Sequence, residues 1–281
     1  RGGILREGLG FDFCDVAVVT NVGQGDHLDP YDIDTVEKLA VVKRTVVETV
    51  TPGSGTAVLN AADPLVAEMA SSCPGRVVFF ACNGEHRIIV EHRRMSGKVA
   101  FVRNDAIVLA EGDQECCCIP LDRVPLTLGG NVRFQVENAL AAIAAAWSLG
   151  LSLERIIEPV SSFVSDIEHV PGRFNLLKIN GATMIVDYGH NASSLEAIIE
   201  ALDLFPPPHR TIVYSTAGDR RDSDIILQGL LLGEAFDSVI LYEGHYMRGR
   251  QKGEIIGLFR KGLNVTSLVS DITEVYGSTN A

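Results

Sequence analysis

Val16-Ala17-Val18-Val19-Thr20 runs straight into Asn21-Val22-Gly23-Gln24-Gly25-Asp26-His27-Leu28-Asp29. A short apolar, β-branched run ending in a glycine-bearing polar loop reads as a buried strand with its turn. Residues 35–50 follow with apolar side chains at helical spacing, which predicts a helix. The succession then recurs. Residues 56–59 and 77–80 read as strands with a helix from Asp63 between them. Residues 184–188, 211–215 and 238–242 read as strands that each precede a helical pattern. Strands alternating with helices predict a parallel α/β architecture.

Working outward, residues 86–119 lose the helical spacing and are expected to form short antiparallel strands, as an insertion. Residues 134–149 read as an Ala-rich helix stopped by Gly150, with a shorter helix over 153–163. The rhythm restarts at Pro171-Gly172-Arg173, so two domains are expected, 1–170 and 171–281. Pro206-Pro207-Pro208 reads as a stiff connector between a helix and a strand. The opening Arg1-Gly2-Gly3, without a leading strand, reads as a chain that begins inside a domain.

The 281 residues are 46% apolar, enough to bury two cores. A formal charge of −12 argues against general affinity for nucleic acid or anionic membrane. No apolar run has the length of a membrane span, so a cytoplasmic protein is expected. Cys116, Cys117 and Cys118 are adjacent, and successive strand residues face opposite sides, which disfavours one tetrahedral metal site. The six cysteines are expected to be reduced and mostly structural.

Ligands of open α/β sheets bind beyond the carboxyl ends of the strands. Four such ends carry glycine with charged or imidazole groups: the loop holding His27, Asp187-Tyr188-Gly189-His190-Asn191, Gly218-Asp219-Arg220-Arg221-Asp222, and the stretch from Glu243 to Arg248-Gly249-Arg250. Lys43 falls on the apolar stripe of Val36, Leu39, Ala40, Val46, Val47 and Val50. A free ammonium there is costly unless it is paired, snorkels, or is altered, for instance by carbamylation. His27 between Asp26 and Asp29 fits either a magnesium ligand or an ordinary loop histidine. Asn138 lies opposite the core stripe of its helix, where its amide suits an adenine edge or simply solvent. No G-x-x-x-x-G-K-[ST] phosphate loop occurs, since Gly97-Lys98 lacks the first glycine and is followed by Val99.

Taken with Arg1-Gly2-Gly3-Ile4-Leu5-Arg6-Glu7-Gly8-Leu9, Ala57-Val58-Leu59-Asn60 and Pro171-Gly172-Arg173-Phe174-Asn175, these segments resemble, in order and spacing, the Mur ligase superfamily. Within it they are most similar to the C-terminal half of the cyanophycin synthetases. The resemblance implies a truncated P-loop-type central (ATPase) domain followed by a Rossmann-like C-terminal domain. It also implies ATP and Mg2+ as cofactors, with His27 and a carbamylated Lys43 holding the metal. By the same resemblance Asn138 contacts adenine, Arg173 reaches the phosphates and Asp187 holds the ribose, with His190 and Asn191 beside the phosphates. Lys43 and His190 are the catalytic expectations. Asp219, Arg220, Arg221, Arg248 and Arg250 are expected to close over the site or bind substrate.

The implied reaction is ATP-dependent amide formation through an acyl phosphate. Arginine would be added to the aspartate side chains of a polymer, by an enzyme that is a homo-oligomer when complete. Two alternatives stay open: another Mur-type amino-acid ligase acting on peptidoglycan precursors or folates, and an inactive nucleotide-binding fragment. Ala192 and Thr216-Ala217 depart from the family pattern, in which proline is common.

Overall fold

The computed structural model describes residues 2–23, 28, 32–205, 209–244, 247–265, 269 and 271–276. The chain divides between Ser165 and Asp166 into two compact units. The first contains α1 (Gly2–Glu7), β1 (Val16–Val19), α2 (Val36–Glu48), β2 (Thr56–Asn60), α3 (Pro64–Glu68), β3 (Arg76–Ala81) and α4 (Arg87–Arg94). It continues with β4 (Lys98–Arg103), β5 (Ala106–Glu111), β6 (Gln114–Pro120), α5 (Arg133–Ser148) and α6 (Leu153–Ser162).

The strands form one sheet in the order β1-β2-β3-β4-β5-β6. Pairing is parallel from β1 to β4 and antiparallel across β5 and β6. The inner strand β2 is covered on both faces, and every one of its residues is buried. Val136, Leu140, Ile143 and Ala144 of α5 pack on Val58, Val78, Phe80, Ile107 and Leu109. Gly150, with φ of 78°, allows the turn that leaves α5.

Two expectations need correction here. Residues 86–119 are no insertion: β4 pairs directly with β3 and extends the main sheet. Residues 87–94 form α4, whose sequence hides its period. Ile88, Ile89 and Val90 are consecutive and β-branched, which imitates a strand, and only Ile89 of the helix is buried. A single anchor on a short helix leaves no repeat to detect.

The second unit contains β7 (Asn175–Ile179), β8 (Ala182–Val186), α7 (Ala192–Leu202), β9 (Thr211–Tyr214), α8 (Asp222–Ala235), β10 (Ser238–Glu243), α9 (Glu254–Leu263) and β11 (Asp271–Tyr276). Strands β9, β10 and β11 form a parallel sheet, and β7 and β8 pair as an antiparallel hairpin that sequence reading did not predict. Leu195, Ile225, Leu232, Val239, Leu241 and Phe259 are the centre of this core. Helices α8 and α9 pack so closely that a Cβ on Gly229 would strike the carbonyl of Phe259. A cavity of about 1010 Å3 is lined by β8, β9 and α7 and reaches Asp187 and Gly189.

All six cysteines are free. Burial, then the nearby Glu137, push the Cys82 thiol up to about 12. No helix among the described residues is long and apolar enough to cross a membrane.

Candidate functional site

In the first unit the polar residues gather at the carboxyl end of β1. Asp63 caps α3, accepting from the amides of Leu65 at 3.0 Å and Val66 at 3.2 Å through one carboxylate oxygen. Its other oxygen reaches back to the loop after β1 and accepts from Val22 N at 2.7 Å and Gly23 N at 3.0 Å. The sequence placed Asp63 at the start of a helix and did not disclose this second role. Lys43 reaches the same loop. It is half-buried on α2, and its Nζ donates to the carbonyl of Asn21 at 3.0 Å. The apolar stripe thus carries a lysine because its ammonium finds a main-chain acceptor at the strand end.

His27, with Asp26 and Asp29, lies outside the described residues. Among the described residues, no three His, Cys, Asp or Glu side chains come together in a group that could hold a metal. Asn138 is exposed on α5, where its Nδ2 donates to Oε1 of Gln135 at 3.0 Å.

In the second unit two of the segments singled out in the sequence meet. The β7–β8 hairpin sets Asn175 opposite Val186, which brings 171–175 beside 187–191. One oxygen of Asp187 accepts from Phe174 N at 2.8 Å and the other from Gly189 N at 2.6 Å. Tyr188 N donates to the carbonyl of Gly172 at 2.8 Å. The fully buried Asn175 accepts from Gly172 N at 2.7 Å and donates to the carbonyl of Val170 at 3.1 Å.

On this frame the exposed Arg173 guanidinium lies 5.6 Å from the centre of the Tyr188 ring. That ring in turn meets His190 edge-on at 5.4 Å. Asn191 caps α7, accepting from Ser194 N at 2.8 Å while Ser194 Oγ accepts from Asn191 N. Asp187, Arg173, His190 and Asn191 therefore stand together at the amino end of a helix, a position that favours anions. Thr216 Oγ1 donates to the carbonyl of His190 at 2.8 Å, tying in the loop after β9. Tyr188 and Thr216 were not among the predicted site residues.

The five residues expected to meet substrate differ among themselves. Arg248 pairs with Asp219 at 2.8 Å, and both are partly exposed. Arg221 grips Asp224 through Nε at 3.0 Å and Nη2 at 2.8 Å. Arg220 is 4% exposed. Arg250 is turned inward onto neighbouring loops. Glu243, buried at the end of β10, was read as a charged strand end but given no role in the site.

Residues 9–146 match the Mur ligase middle domain, and residues 172–278 match the Mur ligase glutamate ligase domain. The chain belongs to the Mur ligase family. Cyanophycin synthetase of Crocosphaera subtropica is 40% identical over the whole chain, which covers 32% of that protein. The enzyme of that name from Synechocystis is 41% identical over 94% of the chain and 30% of its own length. The Xylella fastidiosa UDP-N-acetylmuramate–L-alanine ligase is 30% identical over 92% of the chain and 55% of its own length.

The chain thus spans about a third of the length of the cyanophycin synthetases, the relatives expected from its sequence. Among solved structures, Mycobacterium tuberculosis folylpolyglutamate synthase complexed with ADP superposes with a TM-score of 0.62, 18% identity, and coverage of 93% of this chain and 54% of that one. MurF of Acinetobacter baumannii gives 0.61, 17%, and coverage of 94% and 56%. These likenesses establish the Mur ligase fold expected from the sequence.

Proposed function

We propose that the complete protein is an ATP-dependent ligase that joins an amine to a carboxylate, adding arginine to aspartate side chains of a cyanophycin-type polymer. A carboxylate is a poor electrophile, and ATP supplies its activation. A carboxylate oxygen attacks the γ-phosphorus, ADP leaves, and an acyl phosphate forms. The amine nitrogen then attacks the acyl carbon, the carbon–oxygen bond breaks, and phosphate departs with that oxygen. This chemistry needs positioning and charge neutralisation more than covalent help.

The observation that carries the reading is the knot around Asp187. Its carboxylate holds Phe174 and Gly189 in place, and Arg173, His190 and the amino end of α7 converge beside it. A carboxylate offers about four lone-pair directions, so Asp187 retains room for ribose hydroxyls after accepting two amides. Arg173 and the α7 terminus are the phosphate-facing groups in this reading, with His190 and Asn191 beside them. Asn138 is assigned to the adenine edge, and Asp219 and Arg248 to the incoming amino acid. The protein is read as cytoplasmic and, when complete, as a homo-oligomer.

His27 and Lys43 are assigned to the metal, which would offset phosphate charge. The ammonium of Lys43 repels a cation, so this role requires carbamylation. A carbamate keeps one N–H for the Asn21 carbonyl while presenting an anion. In that case Lys43→Ala loses activity that short carboxylic acids partly restore, and full activity in the unsupplemented variant refutes the assignment.

Phosphate release by the complete protein tests the whole proposal. We expect stimulation only when arginine and an aspartate polymer are both present. Stimulation by a muramoyl or folyl substrate instead would reassign the enzyme within its family, and no stimulated turnover would contradict ligase activity.

A further inference from the structure

Arg250 holds a place that substrate contact does not explain. Its Nε donates to the carbonyl of Gly218 at 2.7 Å, and its Nη2 donates to the carbonyl of Arg220 at 2.6 Å and to Asp222 at 2.8 Å. Its Nη1 donates to Glu254 at 2.6 Å. One guanidinium thus binds the loop after β9, the first residue of α8 and the first residue of α9, with only 14% of its side chain exposed. Most of its N–H donors are taken, so little is left with which to recognise a ligand.

Two further contacts join the same two loops, and a third closes one of them on itself. Buried Glu243 accepts from Gly253 N at 2.7 Å and from Ile256 N at 3.1 Å, closing the base of the loop after β10. Arg248 pairs with Asp219 at 2.8 Å across the loops. At Gly218 the loops touch so closely that any Cβ would strike the carbonyl of Met247.

We infer that Arg250 is a positioning residue which clasps the loops after β9 and β10 into one platform, so that Asp219 and Arg248 are presented to the incoming amino acid in a fixed geometry. The assignment of Asp219 and Arg248 to the amino acid rests on the ligase reading above; the clasp itself does not. A lysine cannot replace the clasp, because a compact ammonium lacks the planar fork that reaches two carbonyls and two carboxylates together.

The test pairs hydrogen exchange with initial rates for the complete protein carrying Arg250→Ala or Arg250→Lys, with Arg250→Gln in reserve if the alanine variant does not fold. Amides of 216–222 and 247–253 are expected to exchange roughly tenfold faster or more in Arg250→Ala, the loss of about one charge-assisted hydrogen bond. Peptides of β2 to β5 should not change. The KM for arginine should rise by a comparable factor in both variants, while the KM for ATP stays within about twofold. Unchanged exchange across 216–222 in a folded variant overturns the clasp, whatever happens to activity. Faster exchange with an unmoved KM for arginine keeps the clasp and overturns its coupling to the amino acid. A wild-type protein with no arginine-dependent turnover counts against the ligase reading alone, since exchange still decides the clasp.

Discussion

The loops after β1 and β8 are each organised by an aspartate, but the two carboxylates come from different distances. Val22 and Gly23 are held by Asp63, which belongs to the cap of α3, and Asn21 is held by Lys43 of α2. The loop after β8 is held by its own Asp187, which gathers Gly189 from the same turn and Phe174 from the adjoining hairpin. In both cases an acid supplies acceptors for main-chain amides of a loop that no strand or helix ladder pairs. The difference is reach. The first loop depends on two distant elements being folded, whereas the second is set largely by a hairpin and its own residues. Damage to Asp63 should therefore spread through the first unit, and damage to Asp187 should stay at the site.

Asp63→Ala gives the largest effect expected from this contrast. It strips acceptors from four amides and removes a helix cap, and should destabilise the first unit by about 3 kcal/mol. Trp147, the single tryptophan, lies on α5 and reports urea unfolding of that unit. Asp63→Asn, which keeps a neutral acceptor, should lose about 1 kcal/mol. A loss equally small in the alanine variant would mean that the reach to Val22 and Gly23 contributes nothing.

Asp187→Ala comes next. It should leave Trp147-monitored unfolding unchanged and weaken ATP binding about tenfold, read by calorimetry on the complete protein. Unaltered nucleotide affinity would refute its role.

Lys43→Met should cost about 1 kcal/mol in the same unfolding measurement, the value of one hydrogen bond. An unchanged midpoint would show that the Asn21 contact is dispensable. Smallest of all, Tyr188→Leu removes the ring beneath Arg173, an exposed cation–π contact worth about 0.5 kcal/mol. Tyr188→Phe should behave as wild type in nucleotide binding, and a defect in it would point to the hydroxyl instead.

The same contrast explains what the sequence could disclose. Strands β1 to β3, the helix start at Asp63, helix α5 with its stop at Gly150, and the strand–loop units around Asp187 and Asp219 were legible because each is written in neighbouring residues. The hairpin partner β7 was missed because its Lys178 and exposed Ile179 blur the alternation. Helix α4 was missed because one buried residue makes no period. The second role of Asp63 and the inward turn of Arg250 depend on contacts across 40 and 32 positions, which no local pattern encodes. The candidate site residues were nameable one by one, while which of them hold neighbouring loops depends on contacts made only in the folded chain.

The central claim is that carboxylate activation passes through phosphorylation, and oxygen labelling tests it directly. The aspartate polymer is prepared with oxygen-18 in its side-chain carboxylates and incubated with the complete protein, ATP and arginine. The account predicts ADP as the nucleotide product and inorganic phosphate carrying one labelled oxygen for each amide formed. Label recovered in AMP, or amide formed without label in phosphate, would contradict it.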